Sequence, residues 1–254
     1  MSFGTLTGKT AIITGAGRGI GADAAIVFAE RGAAVVAVDQ DESSALDTAR
    51  RLARMGARAI AVVADVTSVD DMSRVVEQAM TAFGSLDCAF NNAGVGGRGA
   101  TLLETSEQDM RLTMEVNVMG TWNAMRAQIP AMLESGGGSI VNASSGLGVV
   151  GAPRMSAYAA SKHAVLGLTQ SAALEFSAAG VRVNALLPGV IDTSMPRGFT
   201  GGDPVALQAM VDSHPIGRLG TGREVGEAAA WLCSDAASFV TGHGLAVDGG
   251  HLIR

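Results

Sequence analysis

Tyr158 is the sole tyrosine among 254 residues, and Lys162 is one of two lysines, the other being Lys9. They stand four positions apart in "SAYAASKHAV" (156–165), the spacing that stacks two side chains on one face of a helix. A free phenol titrates near pKa ~10, too high for an efficient base at neutral pH. A fixed ammonium beside it favours the phenolate, and a value nearer neutrality is what general acid–base catalysis needs. Ser145 closes the apolar run "SIVNASS" (139–145), 13 residues before Tyr158. A serine at the carboxyl end of a strand points into the crevice where ligands bind in doubly wound sheets. Its hydroxyl can therefore hold a substrate oxygen beside the tyrosine. Asn117, in "MEVNVMG", puts an amide into a helix-period segment otherwise rich in Met and Leu. It is either a packing or kinking residue or a further polar member of the site.

A second constellation lies near the N-terminus. The run "TAIITG" (10–15) leads into "TGAGRGIGAD", which places Gly15, Gly17, Gly19 and Gly21 ahead of a helix. Glycines there let the main chain turn sharply and approach a pyrophosphate, whose charge meets the positive end of the helix. Asp39 ends the following strand, 18 residues after Gly21, close to the roughly 20 expected of an acid that bonds an adenosine ribose. A carboxylate at that place accepts from a free 2′-hydroxyl and repels a 2′-phosphate, whereas Arg18 within the turn offers that phosphate a partner. No second basic residue stands beside Asp39, which is followed by "QDES". NAD is therefore expected over NADP.

The elements that must position these residues are legible as apolar runs. "TAIITG" (10–15), "AAVVAVD" (33–39), "AIAVVADV" (59–66), "LDCAFNNAG" (86–94), "SIVNASS" (139–145), "VRVNALLPG" (181–189) and "LAVDGG" (245–250) read as strands. They lack clean alternation, as befits a sheet buried on both faces. Helix-sized segments lie between the first six, including one near 107–134 and one near 154–179 that starts after Pro153 and stops at Gly180. Such alternation predicts an α/β fold: a doubly wound parallel seven-stranded sheet of Rossmann type, helices on both faces. The absence of a linker, repeat or composition shift predicts a single domain over 1–254. Its dinucleotide-binding part spans about 8–145, and its catalytic and substrate-loop part about 146–254. The irregular stretch 188–204 is a candidate lid.

Composition narrows the function. Hydrophobic residues make up 48%, charged residues 17%, and glycine numbers 34, a compact globular make-up with many tight turns rather than a disordered one. A net charge of −6 without any basic run speaks against a nucleic-acid surface. The longest apolar runs are strand-sized, far below the roughly 18 residues that span a bilayer. "MSFGTLTGKT" has no apolar signal core, so a cytoplasmic protein with no membrane partner is expected. Cys88 and Cys233 are expected as core residues rather than a disulfide. His163, His214, His243 and His251 lack ligand spacing, so no metal is expected.

Gly15-x-x-x-Gly19-x-Gly21, "NNAG" (91–94), Asn117, "SSGLG" and "YAASK" occur in the order found in the short-chain dehydrogenase/reductase family. "LLPGVIDT" and "TGHGLAVDGG" extend the resemblance to nearly the whole chain. The resemblance implies an NAD(P)-dependent alcohol dehydrogenase or ketone reductase with Tyr158 as general acid/base. Lys162 would lower its pKa and hold the ribose hydroxyls, and Ser145, rather than Ser144, matches the family serine. Asn117 would hold a water that relays protons to Lys162. Around the cofactor it implies Gly15, Arg18, Gly19, Ile20, Gly21 and Asp39, with Asp65 and Val66 at the adenine. Asn92 and Gly94 would follow along the ribose, and Ile191 with Thr193 would hold the carboxamide. A homotetramer is also implied.

The expected substrate is an apolar secondary alcohol or ketone, cyclic or steroid-like, because the candidate pocket residues Val95, Leu147, Met155, Met195, Phe199 and Met210 are apolar. No cluster suggests a carboxylate, sugar phosphate or metal. Two other readings stand beside this one. An NADPH-dependent 3-oxoacyl-carrier-protein reductase shares every motif, with Arg126 and Arg182 as a local basic patch, but Asp39 and the acidic balance count against it. A non-catalytic nicotinamide-binding sensor or scaffold would be expected to lack one of the four residues Asn117, Ser145, Tyr158 and Lys162, and none is missing.

Overall fold

A computed structural model describes residues 5–195, 198 and 201–253. All seven expected strands form: β1 (Thr10–Thr14), β2 (Ala34–Asp39), β3 (Ala59–Val63), β4 (Cys88–Asn91), β5 (Gly138–Ala143), β6 (Val181–Pro188) and β7 (Gly244–Val247). They join in one parallel sheet in the order β3-β2-β1-β4-β5-β6-β7. The chain reverses its direction of travel across the sheet between β1 and β4, the place where doubly wound sheets open a crevice at the carboxyl ends of the strands.

The lack of alternation in the strands has its cause in the two cores. Ala11 and Ile13 of β1 belong to the core formed with α1 (Gly19–Glu30) and α8 (Gly222–Cys233), in one cluster with Phe28 and Leu232. Ile12 between them faces α3 (Val69–Phe83) and α5 (Gly120–Glu134), in one cluster with Val75 and Met132. Both faces want apolar residues, so every position of β1 is buried. Cys88 and Cys233 are free and buried, as core residues should be.

Further helices among the described residues are α2 (Glu42–Arg54), α4 (Glu107–Met114), α6 (Ser156–Phe176) and α7 (Pro204–Asp212). The segment expected as one helix over 107–134 is divided: α4 and α5 are joined by a π-helical turn, Glu115–Met119, with Asn117 at its centre. The helix expected to begin after Pro153 begins instead at Ser156, because Arg154 sits at φ 64, outside the helical region. Between β6 and β7 the candidate lid region leads into α7, capped by Asp203, and then α8, opened by a capping box of Thr221 and Glu224. Among the described residues no helix is long and apolar enough to cross a membrane.

Candidate active site

The turn after β1 is shaped by what its glycines lack. Gly15 (φ 64) and Gly19 (φ 54) adopt the left-handed backbone that suits glycine. At Gly21 a Cβ would lie 2.0 Å from the Gly15 carbonyl oxygen and 2.6 Å from Asn92 Nδ2, so only glycine permits this approach of α1 to the turn. Helix α1 has Arg18 at its N-cap, with no side-chain cap and no acid in its first turn. By contrast α2, α3 and α8 are capped by Asp41, Ser68 and Thr221, with acids following. The first N–H groups of α1 therefore stay open to an anion.

Asp39 reaches this turn directly: Oδ2 accepts from the Gly17 N–H (2.9 Å) and Oδ1 from the Asp41 N–H (3.1 Å). A Cβ on Gly17 would stand 2.8 Å from the same Oδ2. Asn92 fastens the turn from the other side, its Nδ2 donating to the carbonyls of Thr14 (3.0 Å) and Gly15 (3.3 Å). Thr193, from beyond β6, closes over the turn, within 3.3 Å of where a Gly19 Cβ would be. Ile191 beside it is buried and bridges to Gly220, while Ile20 packs on the core and Arg18 is exposed. At the end of β3, Asp65 is exposed and accepts from the Thr67 N–H (2.9 Å). Val66 is buried against Gly120, where a Cβ would come within 2.6 Å of it. Open helix N–H groups, a side-chain-free cradle and a carboxylate at its edge fit a dinucleotide.

Helix α6 carries Tyr158 and Lys162, one turn apart as their spacing predicts. Lys162 Nζ lies 5.6 Å from the Tyr158 ring centroid and donates to the Ala143 carbonyl (2.7 Å). It is 5% exposed, and burial lowers its ammonium to about 8. Ser144 and Ser145 part company here. The Ser144 hydroxyl donates to the Lys162 carbonyl (2.9 Å) and would be crowded to 2.3 Å by a Cβ at Gly148. Ser145 accepts from the Leu147 N–H (3.1 Å) and lines the same cleft as the Tyr158 side chain. Burial pushes the Tyr158 phenol above its ordinary value, and Ser145 beside it opposes the shift.

Asn117 is wholly buried. Its Oδ1 accepts from the Val95 N–H (2.8 Å), and its Nδ2 donates to the Val95 carbonyl (2.9 Å) and to Ser161 Oγ (2.9 Å). Ser161 in turn donates to the Tyr158 carbonyl (2.7 Å). The amide thus ties the segment after β4 to the turn of α6 that presents the tyrosine. A Cβ on Gly94 would lie 3.1 Å from Asn117 Oδ1 and 3.5 Å from Lys162 Nζ, which places all three together. Ser161 was not singled out from the sequence, although it stands inside "YAASK".

Above Ser145 and Tyr158 opens a cleft of about 390 Å3. Leu147, Met155, Met195 and Met210 line it as expected. Val95 does not, its backbone being engaged by Asn117, and Phe199 lies outside the described residues. Two unforeseen side chains, Arg154 and His251, also face the cleft. His251 Nδ1 is bonded to the Ser213 carbonyl (2.9 Å), and its ring stacks on His214 with centroids 5.0 Å apart. His214 Nε2 accepts from the Val190 N–H (3.0 Å), so the proton sits on Nδ1 and is donated to the Met210 carbonyl (2.7 Å). That ring pins the segment after β6 to the end of α7. Among the described residues no group of His, Cys, Asp and Glu could hold a metal.

Residues 15–251 match the family model described as "Enoyl-(Acyl carrier protein) reductase". The A-factor type gamma-butyrolactone 1'-reductase (1S-forming) of Streptomyces virginiae is 46% identical over 253 residues, covering 98% of each chain. The 2,5-dichloro-2,5-cyclohexadiene-1,4-diol dehydrogenase of Sphingobium indicum is 43% identical, over 96% of this chain and 97% of that one. The cyclohexanol dehydrogenase of an Acinetobacter species is 41% identical, over 96% and 94%. Among solved structures, the 3-ketoacyl-(acyl-carrier-protein) reductase of Brucella melitensis complexed with NADH superposes with a TM-score of 0.91 at 36% identity, over 98% of this chain and 100% of that one.

Proposed function

This chain belongs to the short-chain dehydrogenase/reductase family, and we propose that within it the protein is an NAD-dependent dehydrogenase of cyclic secondary alcohols. The observation that carries the reading is Ser145 and Tyr158 together in the lining of an apolar cleft, with the Lys162 ammonium beside the Tyr158 ring on the same helix. Two of the relatives described above are named for ring alcohols, which supports a ring here.

The turn Gly15–Gly21 and the open end of α1 would hold the pyrophosphate, with Arg18 and Ile20 at its edge. Asp39 would bond the adenosine ribose, Asp65 and Val66 would frame the adenine, and Asn92 and Gly94 would follow the chain toward Lys162. Ile191 and Thr193 would hold the carboxamide. When bound, the nicotinamide supplies the site that accepts or gives the hydride. Ser145 holds the substrate oxygen. Tyr158 takes the carbinol proton at its phenolate oxygen in oxidation and returns it from its hydroxyl in reduction. A phenol raised by burial is ready to donate in the reductive direction. Oxidation needs the phenolate, and Lys162 is the cation the chain places there to favour it. Asn117, through Ser161, holds α6 so that the phenol keeps its aim.

Asp39, bonded to the turn itself, supports NAD over NADP. Cytoplasmic location and a homotetramer complete the reading; exposed Leu174 on α6, 88% accessible, is an apolar side chain that a neighbouring subunit would cover. A carrier-linked 3-oxoacyl reductase is the second reading, favoured by the likeness to the Brucella enzyme. One assay separates them: reduced-nicotinamide absorbance is followed with NAD and NADP against ring alcohols, aliphatic alcohols and 3-oxoacyl thioesters, with Tyr158→Phe as control. Turnover of a ring alcohol with NAD, lost in the control, is the expected result. Activity confined to the thioester with NADPH would replace the first reading with the second.

A further inference from the structure

Arg154 is unusual in its backbone and in where its side chain goes. It is the only non-glycine with positive φ among the described residues, at 64°. Such a conformation is disfavoured for a residue with a Cβ and persists where the surroundings impose it, often beside a functional site. Its side chain crosses to the loop after β4, where Nε donates to the Gly99 carbonyl (2.8 Å). Both Gly99 and Arg154 line the same cleft as Ser145 and Tyr158. Among the described residues no carboxylate lies within 4.0 Å of its guanidinium. Glu104 senses it at longer range, but that carboxylate is already bonded to Thr101. The other basic side chain of the lining, His251, has Nδ1 committed to Ser213 and its ring stacked on His214. Arg154, itself exposed, is thus the permanent positive charge in the lining of a cleft that it shares with Tyr158, Leu147 and three methionines.

We propose that Arg154 is a substrate-binding residue, and that the cleft takes a ring alcohol bearing a carboxylate on the side of the ring away from the reacting carbon. The inference rests on the reading of Tyr158 as the acid/base of a ring-alcohol dehydrogenase and adds the substrate's charge. The geometry suits it. With Nε anchored, the guanidinium is held in place and its remaining N–H groups form a fork that matches a carboxylate. The apolar walls accept the ring.

The test compares 4-hydroxycyclohexanecarboxylate with its neutral carboxamide in the full-length enzyme with NAD. The carboxylate is expected to have a kcat/KM about tenfold or more above the amide, carried by KM, as one charge-assisted pair would supply. Arg154→Gln and Arg154→Gly should bring that ratio to near one, and Arg154→Lys should restore part of it. Arg154→Gly doubles as a folding control, since glycine adopts this φ without strain. A ratio near one in the wild type, or one that the variants leave intact, overturns the proposal. If no ring alcohol is turned over, the dehydrogenase reading has failed, and calorimetric binding of cyclohexanecarboxylate to wild type and Arg154→Gln in the presence of NAD still decides the role of Arg154. Binding weakened about tenfold in the variant supports it; equal binding, or none to the wild type, refutes it.

Discussion

At the turn after β1, contacts are made largely by the main chain: open N–H groups of α1, carbonyls fastened by Asn92, and positions where any Cβ would collide. In the cleft above Tyr158, contacts are made by side chains that converge from the β5–α6 connection, α7 and the C-terminal segment. In the proposed reading the first region grips what all dinucleotides share, and it does so with a shape that few substitutions can preserve. In the same reading the second grips what differs between substrates, and its lining can change one residue at a time. A family can therefore keep one turn and vary its cleft.

The largest expected effect lies where the two regions meet. Tyr158→Phe should lower turnover by at least about 100-fold while a reduced-nicotinamide fluorescence titration shows dinucleotide affinity little changed. Near-normal turnover would sink the acid/base assignment. Gly21→Ala should do the reverse of this. Its Cβ would meet the Gly15 carbonyl at 2.0 Å, so dinucleotide affinity should fall by at least about tenfold and unfolding free energy by roughly 2 kcal/mol. Unaltered denaturant midpoint and affinity would mean that the turn is less rigid than described.

Asp39→Ala should shift the NAD-over-NADP preference in kcat/KM by about tenfold toward NADP, as loss of a charged hydrogen bond allows. An unmoved preference would show that the carboxylate serves the turn alone. The smallest effect concerns stability. The Lys162 ammonium is lowered to about 8 from an ordinary 10.5. Below pH about 8 it is charged in both folded and unfolded chains and bears its full burial cost, which fades as pH rises toward 10.5. Lys162→Met should thus raise the melting temperature of the cofactor-free protein at pH 7, by a few degrees, and gain less at pH 10. A gain independent of pH would point to packing instead of charge.

The strands were legible because a sheet buried on both faces needs apolar residues throughout, and the glycine turn because its constraints are written as glycines at fixed spacing. Tyr158, Lys162 and Ser145 also follow from local pattern. Other features have no local mark. Asn91 and Asn142 sit inside apolar strand runs, yet Asn91 Nδ2 donates to Asn142 Oδ1 (3.0 Å) and to Gln128 Oε1 (3.0 Å) in the core, partners 51 and 37 residues away. The π-helical turn carries Asn117, whose partners Val95 and Ser161 lie 22 and 44 residues away in the sequence. Arg154 and His251 stand 97 positions apart and share a cleft only because the connection after β5 and the chain after β7 fold over the same strand ends. The phenol's upward shift likewise belongs to burial, which spacing along a helix does not report.

The Gly17–Asp39 hydrogen bond has a consequence for how such an enzyme can change. In the proposed reading, the acid that selects the dinucleotide is also a strut of the loop that receives it. A lineage drifting toward the phosphorylated cofactor would lose the strut with the selector, and would pass through a weakened binder of both before a compensating residue arose. In that reading cofactor choice is conservative because it is built into the architecture.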